Sequence, residues 1–314
     1  MIMVVTHSND LGADFVIRHL KEKDVEYIRL DTDLIGTSRC HFGFQNGVPV
    51  LWYNGWEIPS HSISAVWARR FSNPVSLASL SPEYRVFAMR ELRDTMEAFL
   101  DSIRTFTVNS YEADRKAGNR LHQSILAQSV GFAVPDTIVT QNAEKARAFL
   151  AGRSVIAKAI SFGAVSDESD NVAHTSRVDA DADFSGLDYC PVLLQAQIPK
   201  KHEWRVTTVG NKIFAARTRA NSDTDPVDWR KSADVLHLFE AAPLPDAVGQ
   251  KLLRLCDGCG ISFGAHDLIE TPDSTFYFLE TNPAGQWGWL ELSLSLPIGQ
   301  ALASLLARGG RPHD

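Results

Sequence analysis

The chain has 314 residues, enough to bury a substantial core and to divide into two or three lobes. A net charge of -7 argues against generic nucleic-acid binding, and no stretch has the length and apolarity of a membrane span. The opening Met1-Ile-Met-Val-Val-Thr6 has neither a basic region nor a long apolar run, so it reads as a first strand rather than a secretion signal. Four cysteines without a framework predict a reducing cytoplasm.

In chain order, apolar runs at 2–6 and 25–30 flank a helical periodicity over 11–23, which is a βαβ unit. No Gly-x-Gly-x-x-Gly follows the first strand, so a dinucleotide site is not supported. Residues 40–58 predict a small meander turning at Asn46-Gly47 and Asn54-Gly55. A further apolar run over 63–67 leads into Arg69-Arg70, which suits either an acidic ligand or a solvated surface. Residues 81–104 predict a long amphipathic helix opening with Ser-Pro-Glu.

Asp114 can cap a second helix running to Val130, with Gly131 as its stop. Lys158 interrupts the β run at 154–160; if buried it needs an anion, and at a sheet edge it needs nothing. Residues 161–171 have loop composition, and 192–198 form an apolar strand closed by Pro199. A hairpin over 206–216 turns at Gly210-Asn211, with Arg205 and Arg219 at its far ends. A solvated basic face is the alternative, but alternation at the end of a strand favours at least one inward arginine. A turn-rich connection covers 220–245, and a helix covers 246–259. Its Cys256 and Cys259 lack the partners a zinc site needs and read as structural thiols. Helices over 287–292 and 296–307 precede a frayed tail.

The most informative stretch is 261–289. Two β-rich runs surround Thr271-Pro272-Asp273-Ser274-Thr275, and an even loop over 272–275 sets Asp267 opposite Glu280. Glu280 and Asn282 then share a face with Asp267, a set of oxygen ligands suited to Mg²⁺. An odd loop would place Leu279 there instead. A hairpin whose polar side merely meets water is the alternative, but the apolar run Phe276-Tyr-Phe-Leu279 argues for burial.

Phe-Gly-Ala-His-Asp267 with Phe-Leu-Glu280-Thr-Asn282-Pro-Ala-Gly-Gln-Trp-Gly-Trp289 resembles the C-terminal signature of ATP-grasp ligases. The Gly-Gln-Trp-x-Trp ending, Val66-Trp-Ala-Arg-Arg-Phe71 and Asp228-Trp229-Arg230 resemble the graspetide branch, the maturases of microviridin-type peptides. The resemblance implies an α+β ATP-grasp fold with an N-terminal α/β lobe over 1–108, a central lobe over 109–199 and a C-terminal lobe over 200–314. It also implies ATP and Mg²⁺ as cofactors, the metal on Asp267, Glu280 and Asn282. Arg120 stands where the family has a phosphate-binding lysine, with Lys116 as a possible substitute, and Lys158 matches the second phosphate lysine. Adenine would meet the hinge at Gln195, Gln197 and Ile198. Arg205 and Arg219 match catalytic arginines, and Arg69, Arg70, Glu203 and Arg230 fall on the substrate side. The loop at 161–171 matches the position of a lid.

The activity this implies is ATP-dependent joining of a side-chain carboxylate to a hydroxyl or amine within one precursor peptide rich in Asp/Glu and Ser/Thr/Lys. A ligase adding a free amino acid, an ATP-grasp kinase and a nucleotide-binding protein without turnover are the other readings. Neither nucleic acid nor membrane is expected as a partner, and homodimer formation stays open.

Overall fold

The computed structural model describes residues 1–35, 40–72, 74–160, 175–179, 181–218 and 238–310. Strand β1 (Ile2–Thr6) is buried along its whole length, as an unbroken apolar run requires. Asp10 caps α1 (Leu11–Glu22) by accepting from the Gly12 and Ala13 amides. Strand β2 (Tyr27–Asp31) then pairs in parallel with β1. Strands β3 (Cys40–Gln45), β4 (Val48–Tyr53) and β5 (Trp56–Pro59) make the expected meander. Both of its turns have positive φ at both centres: 52° and 80° at Asn46 and Gly47, 50° and 84° at Asn54 and Gly55. Asn-Gly is the dipeptide that tolerates this. Strands β6 (Ala65–Ala68) and β7 (Phe106–Val108), joined through α2 (Pro82–Ser102), complete a parallel sheet in the order β2-β1-β6-β7.

The helix expected over 114–130 is two helices. Ser110 caps α3 (Tyr111–Ala117) and Asn119 caps α4 (Arg120–Ser129), each accepting a backbone amide in the first turn. Asp114 lies inside α3, not ahead of it. The apolar periodicity runs through the break, which is why the sequence reads as continuous. Gly118 closes α3, and a Cβ there would stand 3.2 Å from the Asp114 carbonyl oxygen.

The second sheet has the order β10-β9-β11-β8. It contains β8 (Thr137–Thr140), β9 (Val155–Lys158), β10 (Ser176–Val178) and β11 (Val192–Ala196), with α5 (Ala143–Leu150) between β8 and β9. Val155 and Leu194 pack on Ala146 and Leu150 of α5. Alternation and register put Thr137, Ile156, Lys158, Leu193 and Gln195 together on the opposite face. Strand β9 lies between β10 and β11, so Lys158 is not an edge-strand lysine.

The third sheet has the order β14-β13-β12-β15-β16. Its strands are β12 (His202–Val209), β13 (Lys212–Thr218), β14 (Phe239–Ala241), β15 (Phe263–Glu270) and β16 (Phe276–Asn282). Helix α6 (Asp246–Cys259) ends on Gly260 in the left-handed region and packs with α3 and α4 against Trp204, Val206, Leu268 and Phe278. Helices α7 (Gly288–Leu294) and α8 (Ile298–Ala307) return to the first sheet. There Leu302 and Leu306 share a core with Ile2, Val4 and Trp67 on one side and with Val209 and Phe263 on the other. Packing therefore crosses positions 108 and 199: α3 and α4 lie on the third sheet, and the chain's last helices bind the first sheet to it.

Candidate active site

Strands β15 and β16 bring Asp267 opposite Glu280, by a different route from the even loop expected. The Ser274 amide donates to the Thr271 carbonyl at 2.8 Å and the Thr271 amide to the Thr275 carbonyl at 3.0 Å, with Ser274 at φ 64°. The loop is therefore 272–274, an odd length. It pairs Glu270 with Phe276 and Leu268 with Phe278, a register that would carry Leu279 to Asp267. The register instead shifts between Asp267 and Leu268, and Leu279 is left over as a β-bulge. The extra residue also changes the phase of the faces. Phe278 and Thr281 are buried toward α4, while Glu280 and Asn282 turn to the other face with Asp267.

Each carboxylate has an arginine. Arg205 of β12 pairs in register with Asp267, and its guanidinium hydrogen-bonds that carboxylate, both side chains buried. Arg120, the first residue of α4, donates from Nε at 3.1 Å and from a terminal nitrogen at 2.9 Å to Glu280 Oε2. Its other terminal nitrogen bonds the Ala159 carbonyl, one residue past Lys158. Arg120 thus ties the polar face of the second sheet to that of the third. Lys116, the alternative cation, reaches the Gly258 carbonyl at the end of α6 instead.

Gln195 belongs to the same face as Lys158. Its amide nitrogen donates to Thr137 Oγ1 at 3.0 Å, while its buried Oε1 has no hydrogen-bond partner among the described residues. Gln197 donates its backbone amide to the Ser154 carbonyl at 2.8 Å, and with Ile198 it leads from β11 into β12. Glu203 lies two residues before Arg205 on the same face, ion-paired to Lys200 at 3.1 Å. Asn282 is exposed, and its Oδ1 accepts from the Ala284 amide at 3.0 Å, leaving one lone pair available.

Behind this face lies a polar cluster that the sequence did not reveal. His266 is fully buried, its Nδ1 2.8 Å from Thr281 Oγ1 and its Nε2 3.0 Å from Thr208 Oγ1. Burial, with the Arg205 charge adding to it, lowers the imidazole's pKa to about 3, so it is neutral. Cys256 lies 3.7 Å from the same Nε2, and burial pushes its thiol up to about 12, which fits a structural thiol. Gln123 of α4 accepts from the Thr281 amide at 2.9 Å and donates to the Thr281 carbonyl at 2.6 Å and to the Ala117 carbonyl.

The loop after Asn282 is held by the first sheet's side of the molecule. Arg69 is 2% exposed and donates to the carbonyls of Ala284 and Gly285 at 2.8 and 3.0 Å and to Gln286 Oε1 at 3.2 Å. Its Nε lies 3.4 Å from Asp10 Oδ2; burial pulls the guanidinium down to about 10, with Asp10 opposing. Arg69 is thus neither solvated nor open to a ligand, whereas Arg70 is half-buried and bonds Ala284 at 3.4 Å. Asn109 donates to the carbonyls of Phe263 and Pro283 at 2.9 and 3.0 Å. Arg219, Asp228, Trp229, Arg230 and the loop at 161–171 lie outside the described residues.

A family model, the MvdD pre-ATP grasp domain, matches residues 1–115. The macrocyclase MdnB from Microcystis aeruginosa MRC is 33% identical, with TM-score 0.80, covering 97% of this chain and 98% of its own. A RiPP-associated ATP-grasp ligase from Chryseobacterium gregarium, in complex with ADP and a leader and core peptide, is 30% identical, with TM-score 0.87 over 99% of this chain and 97% of its own. The chain belongs to the RiPP-associated ATP-grasp ligases. The macrocyclase MdnC of the same Microcystis, bound with precursor peptide MdnA, is also similar: 28% identity and TM-score 0.86 over 98% and 99% of the two chains. A comparison with curated proteins found no match. This ligase has the α+β ATP-grasp fold that its motifs resemble.

The donor set of this ligase can be tested for fit. Among the described residues no three His, Cys, Asp or Glu gather to hold a metal. Two carboxylates and an amide oxygen are too few to complete six positions, so the set suits Mg²⁺ that keeps waters and phosphate oxygens. The orphaned Gln195 Oε1 is an acceptor that an exocyclic amine of adenine can satisfy. The residues present therefore fit both groups. Among the described residues no helix is long and apolar enough to cross a membrane.

Proposed function

We propose that this ligase activates a side-chain carboxylate of a ribosomal precursor peptide with ATP and joins it to a hydroxyl or amine of the same peptide, releasing ADP and phosphate. The observation that carries the reading is the convergence of Asp267–Arg205 and Glu280–Arg120, two carboxylates each held by an arginine, with Arg120 also reaching the Ala159 carbonyl next to Lys158. Mg²⁺ on Asp267, Glu280 and Asn282 would neutralise triphosphate charge. Lys158 and Arg120 hold phosphate oxygens, and Gln195, Gln197 and Ile198 receive the adenine. Arg205 stabilises charge at the γ-phosphate as the carboxylate oxygen attacks phosphorus and the bond to ADP breaks. Attack of the hydroxyl or amine on the acyl phosphate then expels phosphate. Arg70 and Glu203 flank the substrate side, and the assignments of Arg219 and Arg230 rest on the sequence resemblance. Arg69 serves by holding the loop that carries the metal's amide ligand. Four thiols, none in a disulfide, agree with a cytoplasmic protein.

An intramolecular crosslink needs only peptide and ATP, since both reacting groups share one chain. The test is mass spectrometry of a candidate acidic precursor peptide after incubation with enzyme, Mg²⁺ and ATP, without free amino acids. Loss of one water per bond is expected. A product that instead gains the mass of an amino acid or a phosphoryl group rules this chemistry out for that peptide.

A further inference from the structure

We infer that Gln123 is a positioning residue that fixes the register of β16 and thereby aims Glu280 and Asn282. The inference rests on the metal-site reading given above. Among the described residues β16 is the last strand of its sheet, and its outer side meets an isolated bridge near its start, where the Phe278 amide donates to the Ala133 carbonyl at 2.9 Å. At Thr281 the side chain of Gln123 takes the place of a neighbouring strand, accepting from the amide and donating to the carbonyl. Its second amide hydrogen goes to Ala117 at the end of α3, so donors and acceptor are all used and the group is 1% exposed.

The bulge gives this contact its consequence. A strand with an unpaired residue can slip by moving the bulge, and a one-residue slip turns Glu280 away from Asp267. Slippage must break both Gln123 bonds to Thr281. The same helix checks the side chain too, because Arg120, nearly one turn earlier, grips Glu280. Helix α4 therefore reads both the backbone and the carboxylate of one strand end. An amide that only fills space would leave metal binding unchanged when altered.

The test uses the full chain with Mn²⁺ as the probe and ADP present, free Mn²⁺ being read by electron paramagnetic resonance. In Gln123→Met the half-saturating Mn²⁺ concentration should rise about tenfold or more, as for other residues that orient metal ligands, with metal-free ADP affinity held. Gln123→Glu keeps the shape and the acceptor but loses the donors when ionised. Its half-saturating Mn²⁺ concentration should rise too, since the bond to the Thr281 carbonyl is lost. A folded Gln123→Met with wild-type Mn²⁺ binding overturns the inference. If neither variant folds, Gln123 serves the fold alone and the inference also fails. Glu280→Gln is run alongside: unaltered Mn²⁺ binding there overturns the metal site itself, a different failure from wild-type binding in the Gln123 variants only.

Discussion

Glu280 stands opposite Asp267 because Leu279 between them and the turn is left unpaired. The turn alone sets a register one residue out of phase, and the bulge corrects it. It also lets one short strand bury Phe278 and Thr281 while sending Glu280 and Asn282 to the opposite face. The site thus depends on a local irregularity, and what surrounds it reads as restraint: Arg120 and Gln123 from α4, Arg69 and Asn109 on the following loop.

The buried Arg205–Asp267 pair makes a first prediction. Removing one partner leaves a charge buried without compensation, so Asp267→Asn and Arg205→Met should each lose about 3–5 kcal/mol of stability. The double variant should lose less than the sum, since it leaves neither charge behind. Denaturant unfolding of all four proteins measures the coupling. Additive losses would show that the pair is screened. Turnover should be absent in each variant lacking Asp267.

Gly285 makes the second. A Cβ there would lie 2.5 Å from the Ala265 Cβ and 3.2 Å from the Asn282 Cβ, so the loop carrying the Arg69 contacts must move. Gly285→Ala should cut turnover at least about tenfold, the scale expected of a small misplacement near the proposed metal ligand Asn282. Adding Ala265→Gly removes the closest clash and should restore part of the loss. A double variant no better than the single one would place the defect in backbone freedom instead.

Much of this site was legible in the chain, and the illegible part has a physical character of its own. Asn46-Gly47 and Asn54-Gly55 announce their turns because positive φ is a local demand met by local residues. Asp267, Glu280 and Asn282 share a face as the sequence predicts, but an odd loop over 272–274 and a bulge at Leu279 bring them there, not an even loop. A bulge is a tertiary outcome that strand alternation does not encode. Ser110 caps the helix in place of Asp114: both residue types suit that role, and only packing decides between them. Arg69, Asn109 and Gln123 hold main-chain atoms more than 150 positions away, and no spacing rule records such bonds. The one signal was Gln123 itself, a polar residue on the Arg120, Gln123, Ala127 stripe of its helix.

Lys158 makes the third prediction. It sits on an interior strand, on the face with Gln195 and beside the carbonyl that Arg120 grips. In the proposed function this cation holds the nucleotide's phosphates, and a charge-assisted contact is worth about 1.5–3 kcal/mol. Lys158→Ala should therefore weaken ADP binding by roughly ten- to a hundredfold in calorimetry. Exposed Lys145→Ala serves as the control. Equal affinities in the two variants would remove Lys158 from the nucleotide site.

The last prediction concerns Asp114, which packs within α3 while Ser110 does the capping. Burial raises its carboxyl's pKa to about 6, against an ordinary value of 3.8. The sign follows from proton counting. Between those two values the folded protein holds more protons at this group than the unfolded chain, so stability falls as pH rises through that window and stays lowered above it. Neutralising the group should therefore help at neutral pH and not in acid. Asp114→Asn should unfold at a higher denaturant concentration than wild type near neutrality, by on the order of 1–2 kcal/mol, a figure reduced for partial solvent access. Near about pH 4 the advantage should vanish, because the wild-type carboxyl is then protonated in the fold. Urea unfolding of both proteins across that range decides it. A constant difference at every pH would trace the effect to helix propensity instead of burial of charge, and a less stable variant near neutrality would mean that the ionised carboxylate is favourable where it lies.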